Sequence, residues 1–303
     1  MSSPITTGTS PKLLWPGIHA IWGNAYNEHP TEYTDLFDTE TSDKAYEEDV
    51  EMVGFGVAPI KREGASVAYQ TERQGTTTRY THFAVASGYI VTYEELQDNL
   101  YMQVSKRRAK SLAFGMRQTK EIYGANIYNR AFNSTYAIAD GAALISASHP
   151  NDNGNQSNIL TTSADLSEKS IEDLCVQIML MTDSRGNRIS GKPVSLHVPS
   201  QLWYNANRIL NSTLQSATAN NAVNVLKAQG TFPGGIKVNH YFDSSSAWFI
   251  RTNIGDSVRH FTREAISFKE DNDFDTKNLK YACYERYSFG VTNWRGVYGT
   301  AGA

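Results

Sequence analysis

Hydrophobic residues in positions 92–133 recur near helical spacing, at Leu96, Leu100, Val104, Leu112, Met116, Ile122 and Ile127, with no proline between them. The stretch opens on Thr92 and Glu95, the Ser/Thr-x-x-Glu box that satisfies free amides at a helix start. The spacing predicts one helix of roughly forty residues, some 60 Å long at about 1.5 Å per residue. Gly115 and Gly124 are the places where it would divide into two ordinary helices, each costing only about 1 kcal/mol against alanine. A strut of that length is out of proportion to the core of a compact 303-residue enzyme and suits a protein that builds something.

The pattern changes on both sides of this segment. Residues 56–88 read as extended, with strands at 65–71 and 78–86 around a turn Arg73-Gln74-Gly75-Thr76. These strands are rich in Thr, Gln, Arg and Tyr, so the hairpin has too little apolar area to stand alone in water and must lie on its parent domain or on another subunit. Residues 1–54 show little periodicity and carry Pro4, Pro11, Pro16 and Pro30, which predicts an extended arm. Its apolar anchors, Trp15, Ile18, Ile21, Trp22, Tyr26, Tyr33, Leu36 and Phe37, distinguish it from a disordered tail. The arm is expected to cross a neighbouring surface, with Trp15 and Trp22 among its contacts.

Downstream the elements alternate. A loop-rich excursion at 136–164 holds the polar run His149-Pro150-Asn151-Asp152-Asn153-Gly154-Asn155. A helix follows, capped by Ser167 or Ser170, with Ile171, Leu174, Cys175, Ile178 and Met179 on one face and Gly186 past its end. Next come a strand at 194–198 bracketed by Pro193 and Pro199, a helix from Ser200 through Leu210, and a polar stretch at 211–235 with a short helix near 223–228. Strands are predicted at 236–242, 247–251 and 258–262. In the last segment Leu279, Tyr281, Cys283, Tyr287, Phe289 and Val291 fall on one side, interrupted only by Glu285. That strand is expected to pair with 265–269 across the acidic turn 270–275. The chain thus reads as α+β, leaving a first domain near Ser167 and returning to it near Thr262.

Composition narrows the function. At 40% hydrophobic and 19% charged residues the chain can bury a real core. No apolar run approaches the roughly 18 residues of a membrane span. The start MSSPITTGTSPK lacks a signal-peptide centre, so no membrane partner is expected and the cytoplasm of the producing cell is. Cys175 and Cys283 lie far apart and outside any CxxC pair, as buried structural thiols would. A net charge of −3 argues against a general nucleic-acid binder. Its distribution is uneven: residues 28–51 hold ten acidic side chains and one basic one, Lys44, whereas residues 61–120 hold ten basic against five acidic. Opposite blocks on two extended segments would steer one copy of the chain onto another, and two unrelated solvated faces explain the counts equally well. Candidate contacts are Glu47, Glu48 and Asp49 on the acidic side. On the basic side they are Arg73, Arg79 and the run Lys106, Arg107, Arg108 and Lys110.

Catalytic signatures are missing. There is no Gly-x-Ser-x-Gly elbow, Walker loop, His-Glu-x-x-His or dinucleotide fingerprint. Asp271, Asp273 and Asp275 resemble the opening of a calcium loop, but Thr276 replaces the turn glycine and Ala282 stands where the bidentate Glu belongs. His149 has no assignable nucleophile. A carbohydrate-active or hydrolytic enzyme would need two convergent carboxylates in a pocket, whereas the acids here cluster in the arm and one turn. No catalytic residue, cofactor or metal is assigned.

The order of parts is extended arm, long hairpin, very long helix, α/β insertion and return strand. Local text accompanies it: Ser148-His149-Pro150 with Gly154 and Ser157-Asn158-Ile159-Leu160, then Ala164-Asp165-Leu166-Ser167; Asp183-Ser184-Arg185-Gly186-Asn187 leading to 193–199; and the ending at 287–299, YSFGVTNWRGVYG. Together these resemble the major capsid proteins of tailed bacteriophages, the Hong Kong 97-like fold. The resemblance implies an N-terminal arm at 1–54, an extended hairpin loop at 55–90, a peripheral domain with its spine helix at 91–167 and 262–303, and an axial domain at 168–261. It implies a non-enzymatic virion subunit, assembled in the host bacterial cytoplasm as hexamers and pentamers into an icosahedral shell around double-stranded DNA, bound without sequence specificity. Its implied partners are other copies of itself, a separate scaffolding protein, a portal protein and, optionally, a decoration protein. Scaffolding is expected as a separate protein because the arm begins at Met1. Some relatives crosslink through Lys and Asn; Lys61 lies near the hairpin base, but no local sequence marks an acceptor, and no crosslink is predicted. An encapsulin-type compartment of the same fold is the nearest alternative.

Overall fold

The computed structural model describes residues 15–97, 101–215 and 222–303. The first fourteen residues of the predicted arm, and the junction at 98–100 within the predicted long helix, lie outside them. In chain order the elements are α1 (Trp15–Glu28), α2 (Tyr33–Leu36), β1 (Asp38–Thr41), β2 (Tyr46–Val53), β3 (Arg73–Thr81), β4 (Phe83–Val91), α3 (Tyr93–Gln97) and α4 (Tyr101–Asn129). They continue with α5 (Glu168–Met179), β5 (Pro193–Pro199), α6 (Trp203–Asn211), α7 (Val225–Ala228), β6 (Ile236–Asn239), β7 (Trp248–Thr252), β8 (Val258–Asn272), β9 (Leu279–Val291) and β10 (Val297–Thr300).

The long-helix expectation holds in part. α4 has 29 residues and so spans about 43 Å, running unbroken through Gly115 and Gly124 but ending at Asn129. A Cβ at Gly124 would stand 3.2 Å from Tyr33 Cβ, so this glycine lets α2 lie close against α4. At the start of α3 the Glu95 amide donates to Thr92 Oγ1 at 3.3 Å, the predicted cap.

The described start of the arm is helical rather than extended. Residues 15–28 form a helix that packs along α4. Pro16 sits in its first turn, where a missing N–H is tolerated. Trp22 is buried between Tyr26, at 5.4 Å between ring centroids, and Phe268, at 5.2 Å. Arg117 of α4 donates to the Tyr26 carbonyl at 3.2 Å, and the Glu121 carboxylate accepts the Tyr33 amide at 2.8 Å. Trp22, Tyr26 and Tyr33 therefore hold this segment to its own subunit; Trp15 is the first residue of α1.

Two four-stranded sheets carry the rest. The first has the order β1-β8-β9-β4, built on the long antiparallel β8–β9 hairpin predicted at the chain's end. β8 merges the two strands expected at 258–262 and 265–269, with register shifts between Thr262 and Ser267. On β9, Leu279, Tyr281, Cys283 and Tyr287 alternate into the core. Glu285 on the same face meets Lys120 Nζ at 3.4 Å, which explains how a carboxylate interrupts an apolar strand. The second sheet, β10-β7-β5-β6, encloses Leu174, Ile178, Leu196, Val198, Trp248 and Ile250 together with α5 and α6. Ser167 and Ser170 form a reciprocal capping box on α5. β10 belongs to this second sheet through its pairing with β7, so the chain's last strand does not stay with the 262–303 unit. Both cysteines are buried, and burial pushes each thiol up to about 12.

Candidate assembly interface

The expected hairpin of 65–71 with 78–86 does not form: 65–71 is not a strand, and a different hairpin takes its place. Its strands are β2 and β3, so the predicted turn at 73–76 lies inside a strand and the acidic block supplies the partner. Between them runs an excursion, residues 54–72, without regular structure and with nearly every residue exposed. Loops of that length in a compact domain are uncommon and mostly functional. This one shows Phe55, Val57, Ile60, Val67 and Tyr69 to solvent, with Ile60 at 96% and Tyr69 at 93% exposure. Exposed apolar side chains grouped in one loop are candidates for contact with another molecule.

The base of the hairpin is firmly held. β3 passes into β4 through a single residue, His82, whose ring nitrogens lie 3.0 Å from Ser288 Oγ and 3.1 Å from Ser42 Oγ. Burial pushes this imidazole below its ordinary value. Tyr80 is buried, with its hydroxyl 2.6 Å from Thr292 Oγ1 and its ring over Gly290. Asp49 accepts from Arg259 Nη1 at 2.7 Å and from Thr292 Oγ1 at 2.9 Å. Glu51 accepts from Ser184 Oγ at 2.7 Å.

The candidate contact residues separate into two groups. Within the chain, Glu48 lies opposite Arg79 in the β2–β3 ladder, at 3.5 Å, and the Arg79 guanidinium stacks 3.6 Å from the Tyr46 ring. Glu47 pairs with Lys44 at 2.9 Å, Arg108 with Glu95 at 2.9 Å, and Arg73 with Asp152. The acidic and basic blocks thus meet inside one subunit, at Glu48 and Arg79, where charge counting left open a meeting between copies. Lys106, Arg107 and Lys110 form the second group. They share the exposed side of α4, opposite the buried Ser105 and Ala109. Sequence reasoning missed the 54–72 apolar run, although Val57, Ile60, Val67 and Tyr69 sit within a segment it had marked as extended.

His149 is fully buried, stacked 4.3 Å from Trp294, with Nδ1 2.6 Å from Asp140 Oδ2 and Nε2 3.1 Å from Asn158 Oδ1. It joins the 140–158 loop to the chain's end. Asp273 of the calcium-like turn is held by Lys280 at 2.6 Å. Among the described residues no helix is long and apolar enough to cross a membrane.

A family model described as phage capsid protein matches residues 75–300. No curated protein sequence matches the chain. Among solved structures, the virus-like particle from Pyrococcus furiosus matches with a TM-score of 0.52 at 11% identity, covering 94% of this chain and 98% of that one. A chain of Mycobacterium phage Patience gives 0.53 at 11% identity, covering 95% and 86%. The capsid of Myoviridae phage XM1 gives 0.51 at 10% identity, covering 88% and 89%.

Proposed function

Because the chain belongs to the phage capsid protein family and has the Hong Kong 97-like fold, we propose that it is the shell-forming subunit of a tailed double-stranded DNA phage, assembling as hexamers and pentamers into the icosahedral head. Family membership makes it a structural protein of the virion. The observation that carries the assembly reading is the exposed apolar excursion at 54–72 on a rigidly braced hairpin. Its surface is costly in a monomer and is buried once it lies over a neighbouring subunit. Contacts of modest strength, repeated around a closed shell, then become collectively strong. The exposed Lys106, Arg107 and Lys110 on α4 are the best positioned cations for an acidic neighbour, and Arg73 and Arg79 hold the hairpin in shape for docking.

The virus-like particle from Pyrococcus matches about as well as the phage chains, so the fold alone fits a shell-forming particle of either kind. The family match favours the phage. In this reading the partners are a separate scaffolding protein, a portal protein, packaged DNA held without sequence specificity and, where present, a decoration protein, with assembly in the bacterial cytoplasm. The test is electron microscopy of the purified protein after size-exclusion chromatography, with and without a co-expressed scaffolding protein. Uniform icosahedral shells are the expected result. A stable monomer under every condition would overturn the proposal.

A further inference from the structure

The β8–β9 hairpin ends in a tip that presents Phe274 outward, 94% exposed. The turn beneath it is braced. The Asp273 amide donates to the Asn278 carbonyl at 3.0 Å, the Asp275 amide donates to Asp273 Oδ1 at 3.1 Å, and Lys280 Nζ reaches Asp273 Oδ2 at 2.6 Å. Lys277, at a φ of 56°, closes the turn in the left-handed region. An aromatic ring held outward on a fixed turn has little conformational freedom left to lose on binding, which is how an interface anchor is presented.

Near the other end of the same hairpin lies a cavity of about 500 Å³ between α4, β3, β9 and the 136–139 loop. It is about 36 Å away, counting from Leu279 to Gly290 at about 3.3 Å per residue. Phe83, Ile127, Ile138 and Phe289 wall it. Two exposed arginines rim it: Arg79, and Arg130, whose guanidinium lies 4.4 Å from the Tyr136 ring. An apolar hole with Arg130 at its rim complements an aromatic knob next to Asp275; Asp273 is already paired with Lys280 and Arg79 with Glu48.

Resting on the shell reading above, we propose that Phe274 of one subunit seats in this cavity of a second copy, with the Asp275 carboxylate facing Arg130. Knob and hole sit at opposite ends of one rigid hairpin and cannot meet within a chain. They make a head-to-tail contact, the kind that propagates into rings and closed shells. Opposite charge at the two surfaces sets orientation and speeds encounter.

The test uses the full chain and scores shells by electron microscopy and sedimentation, with circular dichroism of unassembled subunits as the check on folding. Phe274→Ala should weaken subunit association tenfold or more while leaving the subunit folded. Asp275→Arg and Arg130→Asp should each lower shell yield, and the double variant should restore it. Wild-type yield from Phe274→Ala, or no rescue in the double variant, would overturn the contact. Failure of the wild-type chain to make shells at all would instead overturn the shell reading, so the two failures are told apart.

Discussion

Lys120 and Glu285 provide the sharpest test of how this subunit is held together. Lys120 projects from α4 and Glu285 from the core face of β9; their side chains are 8% and 1% exposed and meet at 3.4 Å. The ammonium also lies 4.9 Å from the Tyr287 ring and 5.3 Å from that of Tyr33. Burial pushes the Glu285 carboxyl up and the Lys120 ammonium down, each opposed by the charge of its partner. At an effective dielectric of about 20, two charges at this separation attract by about 5 kcal/mol. Desolvation costs several kcal/mol per ion, so the pair as a whole is close to neutral for stability. Removing one member leaves a buried charge alone, at a cost of about 3–5 kcal/mol. For a chain of this length that lowers Tm by about 5–8 °C. The assay is differential scanning calorimetry of unassembled subunits carrying Lys120→Met, Glu285→Leu, and both. The double variant should fall within about 1 kcal/mol of wild type. In Lys120→Met, the folded-state value of Glu285 stays above its unfolded one, so the stability linked to this carboxyl is present at low pH and lost as pH rises through the folded value. That variant should therefore regain stability relative to wild type as pH falls from about 8 to about 5. A double variant as unstable as the worse single, or singles costing less than about 1 kcal/mol, would refute the reasoning.

Asp49→Asn weakens the acceptor for Arg259 and Thr292 at the hairpin base, and should cost about 1.5 kcal/mol, seen as faster amide exchange in β2 and β3. Unchanged protection there would show that the base is held by other contacts. Gly290→Ala places a Cβ 2.6 Å from Tyr80 Cε1, so Tyr80 must shift and about 1–3 kcal/mol should be lost, measured as a drop in Tm. An unchanged Tm would mean that the ring relocates freely.

What the sequence disclosed follows from how one-sided each element's burial is. β9 was legible because its alternate residues face one core, and α5 because Ser167 and Ser170 cap a helix with a single apolar face. α1 was not legible: Pro16, Gly23 and three aromatic residues give it weak intrinsic helicity. Its helix is held by Trp22 and Tyr26 packing on partners far away in sequence, such as Phe268. The hairpin register failed for a related reason. Residues 65–71 and 73–81 both carry Thr, Gln and Tyr among few large apolar residues, so composition does not say which of them is the strand. The true partner, β2, carries Glu47, Glu48 and Asp49, acidic residues that strands generally disfavour. Glu48 is tolerated there because Arg79 stands directly across the ladder.

The same pairing shows why charge counting does not place an interface. Ten acids and ten bases in adjoining segments are consistent with neutralisation inside a chain or between chains, because the counts contain no distances. In the folded subunit the acids closest to the hairpin base are engaged locally: Asp49 by Arg259, Glu48 by Arg79, Glu51 by Ser184. These contacts and the Tyr80–Thr292 hydrogen bond tie both strands at the hairpin base to the body of the subunit. In the proposed assembly a neighbour would meet apolar side chains of this excursion, and the outward cations open to it include Lys106, Arg107 and Lys110 on α4. On that proposal apolar contact would supply the area, and the outward cations would select which neighbouring surface it meets. This division predicts that added salt slows assembly more than it loosens finished shells, since exposed charges act mainly on the encounter and are screened, while buried apolar area is not. Sedimentation of assembling and preassembled material across a salt series measures both, and equal sensitivity of the two would contradict it.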